Sequence, residues 1–153
     1  MRYTFTTLFL MVSLFIGCSK SNPIPKERPT KSSYLNPQLL KKLDFKGQDI
    51  IAIKLKEQFY YVRKDGKKMP TLTYDGEADK FSDGLARTKS NGKIGFFNQN
   101  LDIILKPIYD FAFPFHNGVA EICVGCKEVI EDGIPILKGG DWKKIDRNGL
   151  VIE

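Results

Sequence analysis

Three kinds of hydrophobic pattern follow one another along the chain. Residues 4–17 (TFTTLFLMVSLFIG) form an uncharged, mostly apolar run. Residues 19–33 (SKSNPIPKERPTKSS) crowd serine, proline and charge, with few apolar positions. That composition cannot collapse into a core and predicts an extended tether. From Tyr34 onward, short stretches alternate apolar and polar residues with the two-residue period of half-buried strands: Ile51, Ile53 and Leu55, then Phe59 and Tyr61. Asp65-Gly66, Asn91-Gly92 and Asn148-Gly149 supply residues that tolerate positive φ, as tight hairpin turns need. Gly84 and Gly118 mark turns or bulges before Leu85 and Val119. The one helical signal comes early. Asn36 is placed as an N-cap with Pro37 at the first helical position, and Leu39, Leu40 and Leu43 then share a face. A short helix there suits the open end of a repeat array, since terminal repeats must cover an exposed apolar face.

The strand pattern repeats with a period of about 35 residues. Residues 59–66 (FYYVRKDG), 94–101 (IGFFNQNL) and 142–149 (WKKIDRNG) each run from an aromatic or branched strand into a polar turn. Upstream of them, residues 51–54 (IAIK), 86–89 (ARTK) and 120–123 (AEIC) align. Residues 81–86 (FSDGLA) match 115–120 (FHNGVA), and Tyr74-Asp75 matches Tyr109-Asp110. The expected fold class is all-β: a short array of antiparallel β-hairpin repeats with a small N-terminal capping helix. A partial propeller is the alternative. A closed ring of four or more four-stranded blades needs more chain than this.

At these residues the chain resembles the WG-repeat (KWG) proteins of bacteria, over about residues 50–152. The residues that carry the likeness are Phe81, Gly84, Leu85 and Ala86, then Gly92, Lys93, Gly95 and Phe96, then Pro107, Tyr109 and Asp110. Phe115, Gly118 and Ala120 follow, and finally Trp142, Ile145, Asp146 and Gly149. The namesake tryptophan is Ile94 in one unit and Phe59 in another, and the namesake glycine is Lys143 beside the only tryptophan. The resemblance implies a shape rather than an activity.

The apolar run at the start is too short to span a bilayer comfortably, which takes about 20 residues. With Arg2 ahead of it, it has the length of a signal-peptide core. Gly17 followed directly by Cys18 resembles the lipobox of bacterial lipoproteins, with Phe15 where that family usually has leucine. The resemblance implies a thioether-linked diacylglycerol on Cys18, cleavage before it, and acylation of the new amine by a chain such as palmitate. Multiple acyl chains give stable anchoring. Ser19 follows in place of an inner-membrane aspartate signal. The default address is therefore the outer membrane, facing the periplasm, with the cell surface or the inner membrane as alternatives. The expected division is 1–17 signal peptide, 18–33 lipidated Cys18 and flexible tether, and 34–153 β-repeat domain.

The formal net charge of +6 matters less than its placement. Residues 19–68 hold 13 Lys or Arg against 5 Asp or Glu, whereas residues 69–153 hold 10 against 13. The basic half is the half nearest the expected anchor. Basic residues contribute about 1 kcal/mol each while they lie against an anionic membrane. A membrane-hugging stem and a solvated tether both fit. Nucleic-acid binding needs a basic face interleaved with aromatics, and the export signal argues against it.

With Cys18 lipidated, Cys123 and Cys126 remain as an even pair in an oxidising compartment, which points to a disulfide. They open an insertion that runs to about Gly140. A disulfide would clip the base of that enlarged loop, with a chain-entropy gain of about 2 kcal/mol from so small a ring. A redox motif wants its first cysteine at a helix N-terminus. A zinc site wants four ligands, and the sequence has no second C-x-x-C. His116, the only histidine, lacks an orienting third group for a nucleophilic pair with Cys123 and reads as a loop residue. Asp65, Asp83 and Asp146 fall in turns. With no phosphate-cradling glycine loop, nucleophile elbow or zincin motif, no catalytic residue, cofactor or metal is expected.

Trp142, Phe96, Phe97, Phe111, Phe113 and Phe115 are candidates for a binding stripe, although such rings in a small β-array more often form the core. The run at 111–115 (FAFPF) is the exception: it is dense in aromatics, carries a proline that blocks a central strand, and adjoins a turn. The expectation is a non-enzymatic envelope lipoprotein, held to the membrane by lipid, whose repeats bind a protein or the cell wall. A periplasmic thiol, redox or metal-handling role for Cys123 and Cys126 is the alternative.

Overall fold

Residues 33–152 are described in a computed structural model of the chain. Cys18, the signal segment and the tether up to residue 32 lie outside the described residues.

The first sheet contains β1 (Ser33–Tyr34), β2 (Ile50–Leu55), β3 (Gln58–Arg63) and β4 (Lys67–Pro70), in the order β1-β4-β3-β2. Ser33 falls in the tether by composition, yet it pairs with Lys68, so the first strand begins one residue earlier than the expected boundary. Between β1 and β2 lies a single helical turn, α1 (Pro37–Leu40). The Asn36 side chain accepts from the Gln38 N–H at 2.8 Å, and Pro37 occupies the first turn, where its missing N–H costs nothing. Leu35 is buried, and Leu40 lies against the Gly66 turn, so the helix covers one end of the first sheet.

A small hairpin of β5 (Thr73–Tyr74) and β6 (Glu77–Ala78) leads to the second sheet. That sheet is β7 (Leu85–Ser90), β8 (Lys93–Asn98) and β9 (Ile103–Tyr109), in chain order. The third sheet places β10 (Phe111–Ala112) on one edge, then β11 (Val119–Val124) and, beyond an excursion, β14 (Asp141–Asp146). The excursion is the insertion read from the sequence. It forms a separate hairpin, β12 (Lys127–Glu131) and β13 (Ile134–Lys138), turning at Asp132 and Gly133.

The letters that align also align in space. Ile51 faces Val62, Ala86 faces Phe97 and Ala120 faces Ile145, and these three partners are buried. The middle sheet is covered on both faces because its alternating side chains are apolar on both. Ala86, Phe97 and Leu101 pack toward Met69 and Tyr61 of the first sheet. Leu85, Ile94 and Phe96 pack toward Phe115, Ala120 and Ile145 of the third. The result is an open stack of antiparallel sheets with no closed barrel.

The turns depart from the two-residue expectation in places. Asn91 and Gly92 both have positive φ, 50° and 79°, as a two-residue hairpin turn requires. At Asp65-Gly66 and Asn148-Gly149 only the glycine does, at 87° and 84°. Leu101 holds the matching slot in the middle unit at φ 59° and is buried. A left-handed leucine costs roughly 1–2 kcal/mol, which burial of its side chain offsets by about 2–3 kcal/mol. In β9, Ile94 is opposed by Tyr109 but Phe96 by Leu105, so residues 106–108 bulge across the single Gly95.

Candidate functional site

The inner face of the third sheet enters the core through Ala120, Ile122 and Ile145. Neighbouring side chains along each strand therefore point outward. Phe111, Cys123 and Trp142 stand side by side across β10, β11 and β14. One row further on, the Phe113 N–H donates to the Glu121 carbonyl at 2.9 Å, and Glu121 faces Lys144. The rings of Phe111, Phe113 and Trp142 converge, with centroids 5.0, 6.1 and 6.4 Å apart. Phe113 is 47% exposed and Trp142 36%, while Cys123 beside them is fully covered. The indole N–H of Trp142 donates to the Gly139 carbonyl at 3.2 Å, which orients the ring.

The equivalent positions of the second sheet give the contrast. Where the third has Glu121, Trp142 and Lys144, the second has Arg87, Ile94 and Phe96, all buried against the third. Arg87 is clasped by Asp79. Its Nε and Nη2 donate to the two carboxylate oxygens at 3.0 and 2.6 Å, and its Nη1 donates to the Ala112 carbonyl at 2.9 Å. The Arg87 carbonyl accepts from the Thr71 hydroxyl at 3.0 Å. This bidentate pair, desolvated but fully hydrogen-bonded, ties the three units together. In the third unit the place of Asp79 is taken by Phe113, and the place of Arg87 by the exposed Glu121.

A groove of about 450 Å³ runs beside this aromatic ledge. Phe111, Phe113 and Pro114 form one wall, Leu72, Thr73 and Lys89 of the preceding unit another, and Glu128 and Leu137 of the β12–β13 hairpin a third. Lys89 and Glu128 are exposed, with no side-chain partner among the described residues.

Two of the repeat words meet next to the groove. Lys93 Nζ donates to Asp110 Oδ1 at 2.5 Å, and the Gly125 N–H donates to Asp110 Oδ2 at 2.6 Å. The Lys93 hydrogen bond first, and the Gly125 N–H after it, hold the Asp110 carboxyl below the ordinary carboxylate range. Asp110 thereby pins the turn that carries Cys123 and Cys126. The two Cα atoms lie 6.0 Å apart, within disulfide reach, and the sulfur atoms meet across the turn. Both residues are buried, at the base of the projecting hairpin. Gly140 lies directly on them: a Cβ there would come within 2.6 Å of Cys123 Sγ. Cys123 lies in β11 and Cys126 in the turn before β12, neither at a helix N-terminus, so the dipole that lowers a redox thiol's pKa is missing. No group of three or more His, Cys, Asp or Glu able to hold a metal occurs among the described residues.

The expected aromatic stripe divides in two. Phe96, Phe97 and Phe115 are core, and only Phe111, Phe113 and Trp142 reach the surface together. The match of Tyr74-Asp75 to Tyr109-Asp110 holds in letters alone. Tyr109 is buried, which pushes its phenol up. Tyr74 is exposed, and Asp75 is a left-handed turn residue between β5 and β6. One extra residue between Tyr74 and Phe81 moves the earlier pair out of the corner. His116 is an exposed loop residue bridged to Val119. Asp79 and Arg87 carry no sequence motif; the signal for them is an arginine at an inward-facing strand position. No curated protein and no solved structure matches the chain. The likeness read from the repeat words holds over residues 94–126, which match the family model described as WG containing repeat.

Proposed function

We propose that this chain is a non-enzymatic cell-envelope lipoprotein, anchored through Cys18, whose third sheet presents a binding face to a protein or cell-wall partner. The observation that carries the binding half is the convergence of Phe111, Phe113 and Trp142 on an outer face, where the second unit instead buries an ion pair. Exposed aromatic clusters beside polar rims are the chemistry of binding sites. The anchor half rests on the apolar run ending at Gly17-Cys18. Cys123 and Cys126 are read as a structural disulfide that holds the base of the β12–β13 hairpin. Their burial favours this over a thiol-redox or metal-handling role, since buried cysteines are inert.

The anchor is tested by feeding cells a labelled fatty acid and separating their membranes. The full chain is expected to carry label and sediment with membranes, and Cys18→Ser to do neither; equal labelling of the variant removes the anchor. Alkylation of the unreduced, denatured protein is expected to leave Cys123 and Cys126 unmodified, and two reactive thiols would remove the disulfide. For the binding face, crosslinking in intact envelopes is expected to trap a partner with the wild-type chain and far less with Phe113→Ala. Equal trapping by both rejects this face.

A further inference from the structure

On the basis of the binding face proposed above, we infer that the groove beside the aromatic ledge is a glycan site. It takes a short oligosaccharide: one pyranose ring stacks on the Phe113–Trp142 ledge at the groove's edge, and the adjoining sugar enters the groove itself, which Phe113, Thr73, Lys89 and Glu128 line and Trp142 does not.

Three occupants compete for this face, and the residues separate them. A further β-repeat would have to bury Glu121, which stands where the second unit buries Arg87. Arg87 is tolerated there because Asp79 clasps it, and the third unit has Phe113 in the matching place. An apolar peptide would desolvate Lys89 and Glu128 without compensation. A pyranose has the two-sided chemistry that the site offers. Its C–H faces stack on aromatic rings, while its rim of hydroxyls both donates and accepts. Lys89 supplies donors, Glu128 acceptors and Thr73 either.

The ring geometry agrees. The planes of Phe113 and Trp142 are only 34° apart at a centroid spacing of 6.4 Å, which makes a shallow platform. Phe111 meets Phe113 at 81° and buttresses it from the side. The Trp142 N–H is already taken by Gly139, so the ring offers its π-face. The groove, at about 450 Å³, falls in the size range of small-ligand sites.

Trp142 is the only tryptophan, so its emission reports on the ledge alone. The full chain in detergent is titrated with cellotetraose and with tetra-N-acetylchitotetraose, and heat of binding is recorded in parallel. At least one tetrasaccharide is expected to change the emission saturably. Phe113→Ala should weaken that binding about tenfold, as loss of a stacked ring does, and Phe113→Tyr should restore most of it. Lys89→Ala should weaken it with the fold intact, as judged by an unchanged melting curve. The glycan site is overturned if neither sugar gives heat or an emission change, or if Phe113→Ala binds as well as wild type. If the sugars fail while a crosslinked partner still depends on Phe113, the glycan site falls and the binding face stands. If both fail, both fall.

Discussion

Gly95 and Pro107 touch through their backbones: a Cβ on Gly95 would stand 2.6 Å from the Pro107 nitrogen. It would stand equally close to the Leu105 carbonyl oxygen. The glycine and the proline of the repeat pattern are thus two sides of one contact, made where β9 bulges across β8. Because the obstructing atoms are backbone, they cannot rotate away. Gly95→Ala is expected to cost about 3 kcal/mol, the upper end for overpacking, and to lower Tm by roughly 10 °C. A melting curve that overlays wild type would show that the bulge yields freely.

Asp79 and Arg87 form a buried, bidentate pair, and removing one partner strands the other's charge in the core. Asp79→Ala is expected to destabilise by about 3–5 kcal/mol in urea unfolding. Replacing both with apolar residues of similar volume should cost much less. If the double variant is as unstable as the single, the pair's worth lies in its hydrogen bonds to Ala112 and not in charge balance.

Leu101 sets burial against backbone conformation, with φ 59° and a side chain 1% exposed. Leu101→Ala loses the packing and keeps the left-handed strain, at a cost of about 3 kcal/mol. Leu101→Gly loses the same packing but relieves the strain, so it should be more stable than the alanine variant by about 1 kcal/mol. Chemical denaturation of the two side by side checks this. The reverse order would mean that the leucine is unstrained.

Asp110 has a carboxyl held below its ordinary value of 3.8, by Lys93 first and the Gly125 N–H second. A folded-state pKa below the unfolded one means that the charged form is favoured by folding. The stabilisation is therefore present above the ordinary value and is lost as pH falls through the lower folded value. Melting temperatures taken from neutral pH down to strong acid should fall less steeply for Asp110→Asn than for wild type. Asp146, lowered mainly by the Leu150 N–H, acts in the same window. Parallel curves for wild type and Asp110→Asn would show that the Lys93 contact contributes nothing in solution.

Much of this molecule is legible along the chain. Ile51, Ala86 and Ala120 align in letters and occupy one register in three sheets, since a strand's inward and outward faces follow from alternation alone. Asn36-Pro37 starts its helical turn, and Asn91-Gly92 makes its hairpin, because capping and positive φ are local requirements. The Tyr-Asp match misled because one extra residue, invisible to a word comparison, moved Tyr74 out of the corner that Tyr109 fills.

Local pattern along the chain is enough to locate the repeats, the strands, the turns and the pair of cysteines at the mouth of an insertion. Which aromatic rings are core and which are surface depends on how the sheets stack. Phe96 on β8 and Phe113 just past the end of β10 are the same residue type in one array; a further sheet covers Phe96, and none among the described residues covers Phe113. Phe111, Cys123 and Trp142 become neighbours only when β10, β11 and β14 pair across the inserted hairpin. Alternation says which residues share a face. What lies against that face depends on how the sheets stack, and that is a long-range contact no local pattern encodes.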